Sequence, residues 1–280
     1  MIKEDEDKKQ VFNTLETLVG YGIIEADYLG YRFCILLSDS EVYVAPVNKF
    51  LIECGKSNDQ NVNKLLYEVL RRMRIFCLNK KYHMSENEGM SRIANVMIEI
   101  SKKHPKAFLL MIGDWLYFYD SQFYTLRNMA SEVVARVYMA VSKNSSEIDN
   151  SREYQAAAKD KEKYVRRLME RCDDINAHAR SKSLELLSMI VRENLVDFQL
   201  ACEIFDVVFI KILDQSVNVR KRALDLLNEL LTSVENFVKA LPNMTQLEKN
   251  YQDMKEVYDE ICIKITAIQK QKVLEQRNRE

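Results

Sequence analysis

Apolar residues recur every three to four positions along most of the chain, which is the pattern of amphipathic helices. The clearest runs lie within residues 61–78, 90–104 and 124–141, and Pro105 is expected to end the second of them. Further helices are predicted at 11–19, 150–172, 174–194, 197–213, 216–240 and from Met244 onward. The pattern therefore predicts a chain built mainly of helices.

Residues 23–54 carry the least regular pattern. Segments 31–37 and 42–47 are rich in the β-branched and aromatic residues that favour strands. Each segment also fits a buried stretch of helix. The helical context on the C-terminal side favours helix for both.

One stretch of sequence occurs twice at an offset of 40 residues. Asp174, Arg180 and Leu186-Leu187 return as Asp214, Arg220 and Leu226-Leu227. A period of this length is typical of HEAT and armadillo repeats, in which helical hairpins stack because one hairpin cannot bury its apolar face alone. The Asp is expected to accept backbone N–H groups at the start of the coming helix, and the Arg to pair with such an Asp. The sequence thus predicts an all-α fold, a HEAT/armadillo-type α-solenoid of antiparallel helical hairpins.

A third, less regular copy lies upstream. Arg127 precedes the apolar pair Val133-Val134 by six and seven residues, as Arg180 precedes Leu186-Leu187. The distance from Arg127 to Arg180 is 53 residues, and the surplus falls in the polar stretch 143–163. That stretch is interpreted as a helix extension or a protruding loop.

These patterns suggest a division of the chain into four parts. We expect a flexible arm at 1–9, N-terminal helical repeats at 10–120, repeats carrying the motif at 121–240 and a long C-terminal helix at 241–280.

Composition supports the helical reading and narrows the function classes. The 280 residues are 47% hydrophobic and 30% charged, with only 6 Gly and 3 Pro, far below the usual roughly 7% and 5%. A net charge of -1 means that any surface for nucleic acid must be a local patch. No apolar run is long enough to span a bilayer, and the charged N-terminus does not resemble a signal peptide. The six scattered cysteines are expected to be reduced core thiols.

No pattern of catalytic or metal-binding residues stands out. Gly55-Lys56-Ser57 resembles the end of a phosphate-binding loop, but position 50, where a Gly is needed, is Phe50. His83, His104 and His178 have no Cys or His at ligand spacing. We therefore expect no enzyme activity, cofactor, metal or small-molecule ligand.

Two clusters of basic residues are candidates for contact with DNA phosphates. The competing interpretation is a solvated helix face or the positive end of a helix. Convergence of the clusters on one face would favour DNA. Their members are Arg71, Arg72, Arg74, Lys80 and Lys81 in the first cluster and Lys102, Lys103 and Lys106 in the second.

Three segments carry a resemblance to a known family. Residues 123–128 (FYTLRN), 174–187 (DINAHARSKSLELL) and 213–227 (LDQSVNVRKRALDLL) resemble segments of condensin complex subunit 1, the HEAT-repeat non-SMC subunit of condensin, and follow the same order. The last segment also resembles repeats of the second condensin and of cohesin regulators. The matching positions are Tyr124, Thr125, Arg127, Asn128, Asp174, Asn176, Ala177, Arg180, Asp214, Val219 and Arg220.

The resemblance implies a non-catalytic scaffold subunit. Such a subunit is held by the kleisin, contacts the heads of the SMC pair and helps to engage DNA during mitotic chromosome condensation. It would be found in the nucleus and on chromosomes, and partly in the cytoplasm. Family members are several times longer, which leaves an excerpt, a truncated gene and a reduced form as alternatives. The matching Asp, Arg and Asn are expected to order turns between helices. The alternative function is a generic helical-repeat adaptor with no nucleic-acid role.

Overall fold

The computed structural model describes residues 25–56, 60–78, 88–143, 159, 161–240, 256 and 263. The predictions for the arm at 1–9, the helix at 11–19, His83, Lys80 and Lys81 lie outside the described residues, as does nearly all of the predicted C-terminal helix. Contacts between Cα atoms divide the chain after Leu186 into two units.

The first unit contains six complete α-helices of ten or more residues among its described residues. They are α1 (Ala26–Asp39), α2 (Val44–Lys56), α3 (Gln60–Leu78), α4 (Glu88–Lys103), α5 (Tyr124–Lys143) and α6 (Lys161–Glu170). Helix α1 packs on α3 and α4, α2 packs on the same two helices, and α5 packs on α4 and α6. The segments 31–37 and 42–47 are thus helical, as the context favoured.

A connecting segment at 105–120 separates α4 from α5. It consists of the 3-10 stretch Pro105–Met111, one α-turn at Ile112–Trp115 and the 3-10 stretch Leu116–Asp120. Pro105 cannot supply the N–H that would continue α4, so the helix ends at Lys103. The segment buries four of its five aromatic residues and leaves Tyr117 exposed. The ring centroid of Trp115 lies 5.4 Å from that of Phe108 and 5.5 Å from that of Phe118.

The boundary between the units falls within α7 (Ala177–Arg192), which follows the short 3-10 helix Arg171–Asp173. The second unit continues with α8 (Phe198–Ile210), the 3-10 helix Lys211–Leu213 and α9 (Val217–Ala240). Helices α8 and α9 pack against each other. Arg192 and Glu229 add an exposed ion pair with atoms 2.8 Å apart.

Periodic apolar positions supply the core of both units. Val133, Leu187 and Leu227 of the repeated motif are fully buried. The fold class is therefore confirmed as all-α, of the HEAT/armadillo type, with no strand among the described ranges. Within the same ranges, no helix has the length and apolar character needed to cross a membrane.

Candidate interaction surfaces and repeat turns

The motif residues Asp174 to Arg180 build the turn that leads into α7. The Asp174 carboxylate accepts a hydrogen bond from the backbone N–H of Asn176 at 2.8 Å. Asn176 in turn accepts from the N–H of His178 at 2.8 Å, so Asn176 is the residue that caps the helix. The guanidinium of Arg180 donates to the carbonyl oxygen of Asp174 at 2.8 Å and to that of Ile175 at 3.2 Å. Within its own motif, the arginine therefore holds backbone rather than the carboxylate.

The second copy repeats this geometry. The Asp214 carboxylate accepts from the N–H of Ser216 at 2.8 Å. Arg220 donates to the carbonyl oxygens of Asp214 at 2.8 Å and Gln215 at 2.9 Å. The two sequence copies, 40 residues apart, therefore form turns with the same hydrogen bonds.

The third copy has a serine where the other two have Asp. Ser121 accepts from the N–H of Phe123 at 3.2 Å through its hydroxyl. Arg127 donates to the Ser121 carbonyl oxygen at 2.7 Å, six residues back as in the other copies. Comparing the repeats within the sequence aligned Arg127 with the other two arginines but did not identify Ser121. Two features could have identified it: Ser121 lies six residues before Arg127, and Ser can form the same local hydrogen bond as Asp.

Arg127 also connects its own motif to the next. Its guanidinium makes two hydrogen bonds to the Asp174 carboxylate, at 2.6 Å from Nε and 2.8 Å from Nη2. The side chains are only 6% and 2% exposed, so this bidentate pair is buried. The predicted Arg–Asp pairing therefore exists here, between two successive motifs, and joins residues that are 47 positions apart in sequence.

The surroundings of Asp174 favour its charged form. Burial is the largest influence and raises the pKa of Asp174. Hydrogen bonds from Arg127 and the N–H of Asn176 outweigh burial, and the pKa lies below its ordinary value.

A second buried carboxylate links α5 to α7, and no sequence motif indicated it. Glu132 is fully buried and forms ion pairs with Lys182 and Arg136, each at 2.8 Å. Burial raises the pKa of Glu132, but the two cations outweigh that effect and leave the pKa lowered. Lys182 of α7 thus supplies a partner for a carboxylate that α5 buries completely.

The arginine cluster at the C-terminal half of α3 faces carboxylates of the protein itself. Arg71 bonds Asp27 at 3.1 Å and Glu68 at 2.8 Å. Arg72 lies 3.6 Å from Asp27, with its guanidinium 5.4 Å from the centre of the Tyr31 ring. These contacts join α3 to α1 and reduce the net charge of the patch.

Arg74 is turned toward the connecting segment. It bonds Asp114 at 3.1 Å, and its side chain is only 12% exposed. A guanidinium this buried offers little to a DNA phosphate. DNA contact through the arginine cluster stays a prediction, without support from this geometry.

The lysine cluster separates into two environments. Lys102 pairs with Glu99 at 2.7 Å on the surface of α4. Lys103 and Lys106 instead line a cleft of about 610 Å³ together with Lys143, the last residue of α5. The structure thus brings a sequence-distant lysine to the predicted pair.

The remaining candidates for chemistry have ordinary structural roles. Lys56 pairs with Glu53 at 2.8 Å, and Gly55 lies against the imidazole of His104. His178 is exposed near the ring of Tyr124. Among the described residues, no group of three His, Cys, Asp or Glu could hold a metal ion.

The fold and the repeated turns define the class of this protein as a helical-repeat protein. No family model matches the chain. It is similar to condensin-1 complex subunit CAP-D2 of Arabidopsis thaliana, with 26% identity over 151 residues, which is 54% of this chain and 11% of the relative. It is similar to condensin complex subunit 1 of Xenopus laevis, with 24% identity over 148 residues, 53% of this chain and 10% of the relative. The match thus spans about a tenth of each relative.

A solved structure of the Pds5–Scc1 complex aligns with 91% of this chain and 53% of that chain, at 13% identity and a TM-score of 0.27. Because the TM-score is this low, the superposition supports no conclusion about this chain. The sequence comparisons support the family resemblance: this divergent helical-repeat chain is similar to condensin subunits over about half of its length.

Proposed function

We propose that this chain is a non-catalytic HEAT-repeat scaffold of a condensin-like complex that binds kleisin and SMC subunits. The observation that carries the proposal is the similarity to condensin subunits from a plant and an animal over about half of the chain. The three repeat turns add support, because a turn and helix that recur along the chain are typical of helical-repeat scaffolds.

Such a scaffold acts in the nucleus and on chromosomes. The similarity to condensin subunits supports this location but does not support an additional cytoplasmic location. DNA contact remains a prediction. The arginines of the basic patch are paired with carboxylates of the protein itself, and this pairing does not support contact with DNA.

Co-purification tests the proposal. The tagged full chain is mixed with the condensin kleisin and the condensin SMC heads from the same genome, and in parallel with the cohesin kleisin and heads. We expect retention of the condensin kleisin or heads and little retention of the cohesin proteins. Failure to retain any condensin subunit would overturn the assignment and favour the generic adaptor.

A further inference from the structure

The first unit contains a cleft between the ends of α4 and α5 that the proposed function does not use. Lys103 closes α4, Lys106 lies in the first turn of the connecting segment and Lys143 closes α5. Two helix C-termini explain why lysine suits these positions, because their partial negative charge favours a cation. Three ammonium-bearing side chains nevertheless line one cleft, and none of the described lining residues carries a carboxylate.

Two of these lysines make no ion pair within the described part of the chain. Lys103 and Lys106 are exposed, whereas neighbouring Lys102 and Lys56 are each paired with a glutamate three residues away. An incoming anion would therefore meet two ammonium groups without first displacing a carboxylate of the protein.

The floor of the cleft is apolar. Leu66 and Tyr67 of α3 and Ala140 of α5 contribute to its lining. The volume of about 610 Å³ falls within the range of clefts that enclose side chains or small ligands. The cleft thus offers a positive rim around an apolar pocket.

We propose that this cleft docks an acidic segment of a protein partner, with its carboxylates on Lys103, Lys106 and Lys143 and an apolar side chain on the floor. Peptide recognition commonly combines charge at the rim with pockets for single side chains. A DNA backbone presents charged oxygens and sugars, and would leave Leu66 and Ala140 without a matching group. The proposal does not rest on the condensin assignment, because the chemistry of the cleft alone defines the partner.

The test uses the full chain and short synthetic peptides with Asp or Glu fixed at alternate positions and randomised residues between them. Libraries with Lys or with Ser at the fixed positions serve as references. We expect the acidic library to be enriched, with apolar residues selected at the randomised positions. Peptides selected in this way are then measured one by one by fluorescence anisotropy.

Two variants separate charge from shape. Lys103→Glu/Lys106→Glu/Lys143→Glu reverses the rim and should weaken binding by about tenfold or more. Ala140→Leu fills the floor without changing any charge and should also weaken binding. Lys163→Glu/Lys221→Glu/Arg222→Glu makes the same change of charge on exposed residues elsewhere and should leave binding unchanged.

Circular dichroism establishes that each variant is folded, and the single change Lys106→Glu replaces the triple variant if that one is not. The proposal is overturned if the acidic library is not enriched, or if binding survives reversal of the rim. It is also overturned if a short duplex DNA displaces the peptides and binds Ala140→Leu as well as the original chain. That outcome would assign the lysines to nucleic acid.

Discussion

At the scale of single residues, the contact between Arg127 and Asp174 dominates the repeat turns. Both side chains are almost fully buried, and each is satisfied by the other and by backbone. A charge left alone in such a place is costly, since neither water nor a partner compensates it. We therefore expect the motif residues to affect stability directly, and to affect partner binding only through their effect on stability.

Asp174→Ala should lower the free energy of unfolding by about 3–5 kcal/mol, because it leaves the guanidinium of Arg127 buried without its partner. Arg192→Ala is the matched control: it also removes one member of an ion pair, but the Arg192 side chain is 64% exposed, and the loss should be about 0–1 kcal/mol. Urea denaturation followed by circular dichroism measures both. Equal losses in the two variants would contradict the assigned importance of the buried pair.

The same carboxylates predict how stability depends on pH. The pKa values of Asp174 and Glu132 are lowered from ordinary values of 3.8 and 4.5. Their contribution is complete above those values and is lost as the pH falls below them toward the folded-state pKa values. We expect the urea midpoint to decrease as the pH falls below 4.5, and Asp174→Asn to flatten part of that decrease. A decrease of the same steepness in Asp174→Asn would remove Asp174 from this explanation.

At the scale of helices, one glycine governs how closely α1 approaches α3. A Cβ added at Gly30 would lie 2.8 Å from the carbonyl oxygen of Val69 and 2.9 Å from Cβ of Arg72. Both atoms are fixed by the α3 backbone, so they cannot move aside as the end of a side chain can. The helices would have to separate, and the buried residues around Leu29 and Phe33 would lose contacts.

Gly30→Ala should therefore destabilise the protein by about 1–3 kcal/mol, which outweighs the gain of up to about 1 kcal/mol that Ala brings to a helix. Gly113→Ala is the matched control, because a Cβ there meets nothing within 4 Å. It should be neutral or stabilising by about 0.4–1 kcal/mol. Thermal melting distinguishes the two, and a stabilised Gly30→Ala would show that α1 and α3 are less tightly packed than described.

Periodicity predicted most helices because each buries one face. It predicted the helices at 61–78 and 124–141 to within about two residues at each end. It did not resolve the connecting segment at 105–120, because a spacing of three residues, as between Trp115 and Phe118, fits an α-helix and a 3-10 helix equally well.

Contacts between distant residues were the hardest part to predict. The motif predicted that its Arg pairs with an Asp, but it did not indicate that Arg127 pairs with Asp174 of the next motif, 47 residues away. The spacing of Glu132 and Arg136 fits an ion pair within one helix, but nothing in the sequence indicated Lys182 or the cleft beside Lys143, because those neighbours come from other elements. Local patterns record what a residue does within its own turn, and the interaction surfaces depend on how the turns are assembled.

At the scale of the whole molecule, the net charge of -1 does not attract DNA, so any DNA binding depends on local groups of cations. The affinity of a protein for duplex DNA falls with salt with a logarithmic slope of about −0.9 per phosphate neutralised. If only the three lysines of the cleft contact phosphates, the slope should be about −3 or shallower. Participation of Arg71, Arg72 and Arg74 as well would make it about −5 or steeper.

Fluorescence anisotropy of a labelled duplex over a series of salt concentrations measures this slope. Arg71→Ala/Arg72→Ala should leave the slope unchanged, because both arginines are held by Asp27 and, for Arg71, Glu68. If the cleft docks an acidic peptide, as proposed, Lys103→Ala/Lys106→Ala should also leave the slope unchanged. A slope that becomes shallower by about 2 would assign these two lysines to DNA. A steep slope that the arginine changes reduce would mean that DNA draws these side chains away from their carboxylates, and the α3 patch would regain its place as a DNA-contacting surface.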